Sequence, residues 1–257
     1  MAFSDTTLPP LRDSAARRGR EIALGLLTEI GAPEFYVEQI QWVGRSRERL
    51  EESEEVAECL NQLSGVYENL GHGAGHSVKV AVDAGAVAFI ESGVLGFSGP
   101  RTDRCVRLAH IAALLHDIRR KEKNHAEAGA IAAEPILREL GMADSDREAV
   151  LLAIRNHEAF RPATPAVSPE AQIVSDSLYD ADKFRWGPDN FTETLWFMLE
   201  SAGIPVEAMV KSYPEKIKGI EAISGTFRSA TGRRYGPDFI RRGLLIGERL
   251  IAALSGL

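Results

Sequence analysis

The amino-acid sequence predicts an all-α protein, and three observations carry that expectation. Ala, Leu, Glu and Arg are abundant among its 257 residues, and these residue types cost least in a helix. Apolar positions recur at three- and four-residue spacing along most of the chain, which marks one buried face per helix. No apolar and polar alternation of β-branched residues lasts long enough to argue for a sheet. Hydrophobic residues make up 44% and charged residues 26%, an ordinary globular composition that excludes wholesale disorder.

The elements follow in order. A flexible start, Met1 to about Leu11, gives way to a helix ending near Gly31, with Ile22, Leu26, Leu27 and Ile30 on one face. A second helix covers roughly Pro33 to Arg47 and a third Glu54 to Leu70. The acidic run Glu51 to Glu55 is expected in the first turn of that third helix, where carboxylates complement the helix dipole. Gly71-His72-Gly73-Ala74-Gly75-His76 then leads into a helix through about Ser92, with His72 read as an exposed loop histidine. A loop is expected from Gly93 to Thr102, and Asp103 can cap a helix running to Asp117. A basic loop (Arg119, Arg120, Lys121, Lys123) precedes a helix from Asn124 to Gly141 that Pro135 kinks or splits. Ser145 and Glu148 form a capping box for a helix reaching His157. Ser168-Pro169-Glu170 opens a helix through about Phe184, with proline at its favoured first position. Three or four helices follow from Asn190, the last from Pro237 to Leu254.

Composition also restricts function. Thirty Lys plus Arg against 37 Asp plus Glu give a net charge of -7, which argues against a protein that grips nucleic-acid backbone. Local basic clusters still suit a small phosphorylated ligand. Cys59 and Cys105 stand 46 positions apart without metal-ligand spacing and read as buried free thiols. The N-terminus lacks the basic start and apolar run of a signal peptide. The most apolar region, Val78 to Phe97, is interrupted by Lys79, Asp83 and Glu91, so no membrane span is expected. The expected location is the cytoplasm.

The chemistry sits in the histidines. There are six: His72, His76, His110, His116, His125 and His157. His157 continues the apolar stripe of Val150 and Ile154. His116 and Asp117 end a very apolar helix, and Asp182 falls one turn after Leu178 on another. A carboxylate in such a place needs a partner or a metal, because an unpaired buried charge is costly. The ordered set His76, His116-Asp117, His125, His157, Asp182 puts one ligand-type group near an end of five successive helices. A helical bundle builds an interior metal site in this way. Imidazole with carboxylate suits Mn, Fe, Co, Ni or Zn, with Mg also allowed, and the absence of thiolates argues against a structural zinc. His110 lies on a different face of its helix from His116 and reads as structural. Tyr179, Trp186 and Phe191 around Asp182 read as core packing, with a stacking platform for a nucleobase as the sharper alternative.

In its fragments GHSVKVA, LLHDI, NHAEAG, IRNHE and DADKF, the sequence resembles the HD-domain superfamily of metal-dependent phosphohydrolases, over roughly Gly71 to Phe184. The resemblance implies an HD-domain-like helical bundle with a core at about 71–184 and helical extensions at 12–70 and 190–257, in one domain spanning 1–257. It implies a metal held by His76, His116, Asp117 and Asp182. In two-metal members His125 and His157 complete a second site and Asp117 bridges the ions. Catalytic roles then fall to Asp117, His125 and His157. Arg120 and Lys183, with Arg119 and Arg161, are the expected contacts for the phosphate of a nucleotide or other small metabolite; Arg185 stands beside them. Two further readings stay open: a di-iron oxygenase of the same fold acting on a small polyol or phosphonate, and a non-catalytic sensor module. The extensions are expected to pack around the core, roof the pocket or form a homodimer interface.

Overall fold

The structure, a computed structural model, describes residues 11–68 and 73–255. The expected flexible start up to residue 10 and His72 lie outside the described residues; Leu11 is buried. Among the described residues there are twelve α-helices, one π-helical turn and no strand, so the all-α expectation holds. The contacts group the chain into two compact units. The first comprises Gln39–Asp182 and Arg228–Gly232, and the second comprises 11–38, Lys183–Phe227 and 233–255.

Helix α1 (Ser14–Ile30) is capped by Asp13, whose carboxylate accepts the Ala15 N–H at 2.9 Å. It ends at Gly31, whose φ of +81° suits glycine. The stretch expected as one helix from Pro33 breaks at Gln39 into α2 (Glu34–Glu38) and α3 (Ile40–Glu52). Ser53 then starts α4 (Glu54–Glu68), its Oγ accepting the Val56 N–H at 3.3 Å. The acidic run is therefore split: Glu51 and Glu52 close α3, and only Glu54 and Glu55 begin α4.

Helix α5 (Gly73–Val94) outlasts its expected end. Helix α6 (Pro100–Leu115) begins with proline after Gly99, so the intervening loop is shorter than expected. Asp103 lies inside the first turn of α6 and faces Arg49 at 3.5 Å instead of capping. Pro135 sits within α7 (His125–Glu139) without splitting it, and Gly141 follows with φ +69°. The expected Ser145 capping box does not form. Helix α8 (Asp144–Asn156) has Ala143 at its N-cap, two residues before Ser145, and the Ser145 hydroxyl takes a bond from Arg104. Ser168 does cap α9 (Pro169–Phe184), accepting the Ala171 N–H.

In the first unit α5 and α6 form the centre. Helix α6 is buried continuously from Leu108 to Leu115, and α5 offers it small residues, among them Ala81, Ala84 and Ala88. Three helices meet at Gly85, where an added Cβ would lie 2.0 Å from His110 Nε2 and 2.3 Å from Ser46 Oγ. Ser46 donates to the Val82 carbonyl at 2.7 Å, so its oxygen takes the His110 Nε2–H at 2.9 Å. At the other end of α6, Arg104 and Arg107 share Asp146 at the start of α8, and Arg107 also reaches Glu55. The N-terminal ends of α6 and α8 are thereby fixed side by side. Their C-terminal ends meet too, since the His116 and His157 rings lie 5.1 Å apart.

The second unit contains α1, α2, a π-helical turn (Asn190–Thr194), α10 (Leu195–Ala202), α11 (Val206–Ile223) and most of α12 (Ala230–Ser255). Helix α12 begins well before the expected Pro237, which lies in its interior. Phe184 and Phe239 stack at 4.2 Å within a cluster that includes Phe35, Phe227 and Tyr235. Gly19 makes room for the Trp196 ring, against which a Cβ would fall at 2.2 Å. No helix among the described residues is long and apolar enough to cross a membrane. Cys59 and Cys105 are free and buried.

Burial holds His110 neutral by lowering its pKa to about 3. The unfolded chain, titrating near 6.5, binds more protons between these values, so stability falls as pH drops below about 6.5. The expected loss is up to ~1.4 kcal/mol per pH unit from this group. Urea melts from pH 6.5 to 4.5 should fall more steeply for the wild type than for His110→Gln, which keeps a donor for Ser46; equal slopes would contradict the reading. Gly85→Ala should cost about 1–3 kcal/mol through overpacking at the same junction.

Candidate metal centre

Within the first unit, five helix ends bring six ligand-type side chains together. His76 lies in the first turn of α5, and His116 and Asp117 directly follow α6. His125 opens α7, His157 directly follows α8, and Asp182 lies in the last turn of α9. His76, His116 and Asp182 form one group that could hold a metal ion, and Asp117, His125 and His157 form a second; within each group the ligand atoms all lie within 4.8 Å of one another.

Asp117 faces both groups. Its Oδ2 is 3.3 Å from His116 Nε2 and 3.9 Å from His76 Nε2, while its Oδ1 is 3.6 Å from His157 Nε2. Asp182 Oδ1 closes the first group at 3.4 Å from His76 Nε2 and 3.7 Å from His116 Nε2. The two Nε2 atoms of His125 and His157 lie 3.1 Å apart.

The imidazoles are set by the backbone beneath them. His116 Nδ1 lies 2.7 Å from the Ala113 carbonyl and His157 Nδ1 lies 2.6 Å from the Ile154 carbonyl. A carbonyl can only accept, so each Nδ1 carries a proton and donates it, which turns each Nε2 toward the centre. His125 has a carboxylate instead: Glu158 Oε1 stands 3.4 Å from its Nδ1.

The electrostatics ask for a cation. Asp117 and Asp182 are both buried. Burial works against the Asp117 anion, yet His116, His157 and Arg120 hold its pKa well below the usual carboxylate range. Burial likewise disfavours the His116 imidazolium, but Asp117 and Asp182 override it and push its pKa up to about 10. A proton on His116 and a divalent ion answer the same demand. His76 Nε2, His116 Nε2 and Asp117 Oδ1 are buried and make no hydrogen bond, although buried polar atoms are as a rule bonded. The donor set and these unbonded atoms fit a transition-metal ion.

The expected cations are placed differently from one another. Arg120 is brought in: its guanidinium lies 2.8 Å from Asp117 Oδ2 with the side chain half exposed. Arg119 is exposed and faces Glu122 at 3.8 Å, and Arg161 is exposed in the stretch after α8. Lys183 follows Asp182 along α9, is buried, and belongs to the second unit. Arg185, also buried there, donates to Asp189 and Tyr36. Tyr179 and Phe191 are buried, and Trp186 is half-buried. Glu158 is the residue that sequence reasoning missed; its signal was an acid directly after His157. Asn156, just before His157, was missed as well: its side chain laces Thr164 through both backbone groups and reaches Ser175.

Comparisons with protein-family models, curated proteins and solved structures give no match.

Because Asp117 faces both groups, Asp117→Ala should strip metal from both, while His125→Ala should empty only the second. Elemental analysis with circular dichroism checks this. A folded, metal-replete Asp117→Ala protein would contradict the assignment.

Proposed function

We propose that the protein is a metal-dependent phosphohydrolase of the HD superfamily, acting on a nucleotide or another small phosphorylated metabolite. The observation that carries the reading is the position of Asp117, with one oxygen toward each of two three-ligand groups. His76, His116 and Asp182 would hold one ion and His125 and His157 the second, with Asp117 shared. When bound, such a pair of ions stabilises charge on phosphoryl oxygens and makes a nucleophile from water at neutral pH.

The chain's own residues supply the rest. Backbone carbonyls under His116 and His157 and the Glu158 carboxylate beside His125 hold three rings in orientation before any substrate arrives. Arg120 offers a half-exposed fork at the edge of the centre, a geometry suited to two phosphate oxygens. Arg119 and Arg161 provide further positive charge on exposed stretches near the ligands in sequence. A buried free thiol pair accords with a reducing, cytoplasmic setting.

The test is a panel of nucleotides and phosphate esters offered to protein reconstituted separately with Mn, Fe, Co, Ni, Zn and Mg, with oxygen uptake monitored. Phosphate release without oxygen uptake is expected. Oxygen consumption by the iron form with a polyol or phosphonate would favour the oxygenase, and inertness with every metal would favour the sensor. Arg120→Ala should lower kcat/KM about 10–100-fold, the worth of one charge-assisted contact, with metal content unchanged.

A further inference from the structure

Residues Arg228 to Thr231, far from the candidate metal ligands in sequence, touch α8, α9 and α5, each of which carries or leads into one of them. Asp180 is fully buried on α9, two positions before Asp182. Its two oxygens accept the backbone N–H groups of Arg228 and Ser229, each at 2.8 Å. Two residues on a helix turn by about 200°, so α9 is gripped on the face opposite its metal ligand. Gly232 completes the fit: a Cβ there would lie 2.0 Å from Asp180 Oδ2, and its N–H goes to Ser229 Oγ at 2.8 Å.

The Arg228 side chain performs a second task. Its guanidinium lies 3.5 Å over the Tyr179 ring, and its Nη1 donates to the Asn156 carbonyl at 2.7 Å. Asn156 is the last residue of α8, whose terminal carbonyls have no partner within the helix. The next residue is His157. With its carbonyl held by Arg228 and its side chain held by Thr164 and Ser175, Asn156 fixes the point from which His157 departs. Glu91 ties the far end of the segment to α5, accepting the Thr231 N–H at 2.8 Å and its hydroxyl at 2.6 Å.

We propose that Arg228 to Thr231 form a strap that positions two metal ligands, His157 through Asn156 and Asp182 through Asp180. Arg228 is then a positioning residue of the metal centre. This inference rests on the metal-centre reading and adds to it a dependence that the six ligands alone do not require.

The experiment is anaerobic titration with cobalt(II), followed by visible absorption, on the wild type, Arg228→Met and Arg228→Lys. Methionine keeps an apolar stem over Tyr179 but loses the donor; lysine restores a donor. Arg228→Met should weaken the ion held by Asp117, His125 and His157 by ~10–100-fold, the usual cost of losing a supporting contact. It should leave the ion held by His76, His116 and Asp182 less affected, and Arg228→Lys should recover much of the loss. A folded Arg228→Met protein that binds both ions like the wild type overturns the strap. Hydrogen exchange on the wild type decides if that variant does not fold. By reciprocal linkage, cobalt should slow exchange of the Arg228 and Ser229 amides, and unchanged rates overturn the proposal. A wild-type protein that binds no cobalt overturns the metal centre itself, and the strap with it.

Discussion

Two carboxylates inside an α-helical bundle set the terms for the rest of the molecule. Asp117 and Asp182 are buried among imidazoles, and removing an anion from water costs several kcal/mol unless a cation or good hydrogen bonds replace the lost hydration. Arg120 offsets part of that cost at one oxygen of Asp117. The remaining demand falls on the centre, where a proton on His116 or a divalent ion can meet it. The ends of α6 and α8 sharpen the demand, because helix C-termini present the negative end of the peptide dipoles.

The fold answers by fixing helix ends rather than whole helices. Arg104, Arg107 and Asp146 register α6 against α8 at their starts, so that His116, Asp117 and His157 arrive together at their finishes. Ser46, Gly85 and His110 lock α3, α5 and α6 at a point where no Cβ fits. Gly129 lets α7 approach the His116 carbonyl, with a Cβ at 3.2 Å, which brings His125 to the same place. Local choices and tertiary packing point to one arrangement, which is the mark of a consistent sequence.

Much of this was legible in the residues. The helical period, the glycine stops at Gly31 and Gly141 and the Ser168 cap are local chemistry, and local chemistry can be read along a chain. The six side chains that converge in the centre were legible because polar residues at the ends of apolar helices are conspicuous. Other features were not, because long-range partners decide them. Ser145 sits in a sound capping box, yet Arg104 of another helix takes its hydroxyl. Asp103 could cap α6, but the cap position passes to Gly99. The break at Gln39 and the early start of α12 follow from packing that no short window contains. Glu158 and Asn156 carry no periodic signal, and only the convergence of α7, α8 and α9 shows what they touch.

The proposed function requires Asp117 to serve two ions at once. Anomalous diffraction from crystals of the full chain soaked in manganese(II) tests that directly. Two peaks about 3.5–4 Å apart, the usual spacing in two-metal hydrolytic sites, should flank the Asp117 carboxylate, one beside His76, His116 and Asp182 and the other beside His125 and His157. Manganese bound elsewhere, or no anomalous density among these six side chains, would contradict it.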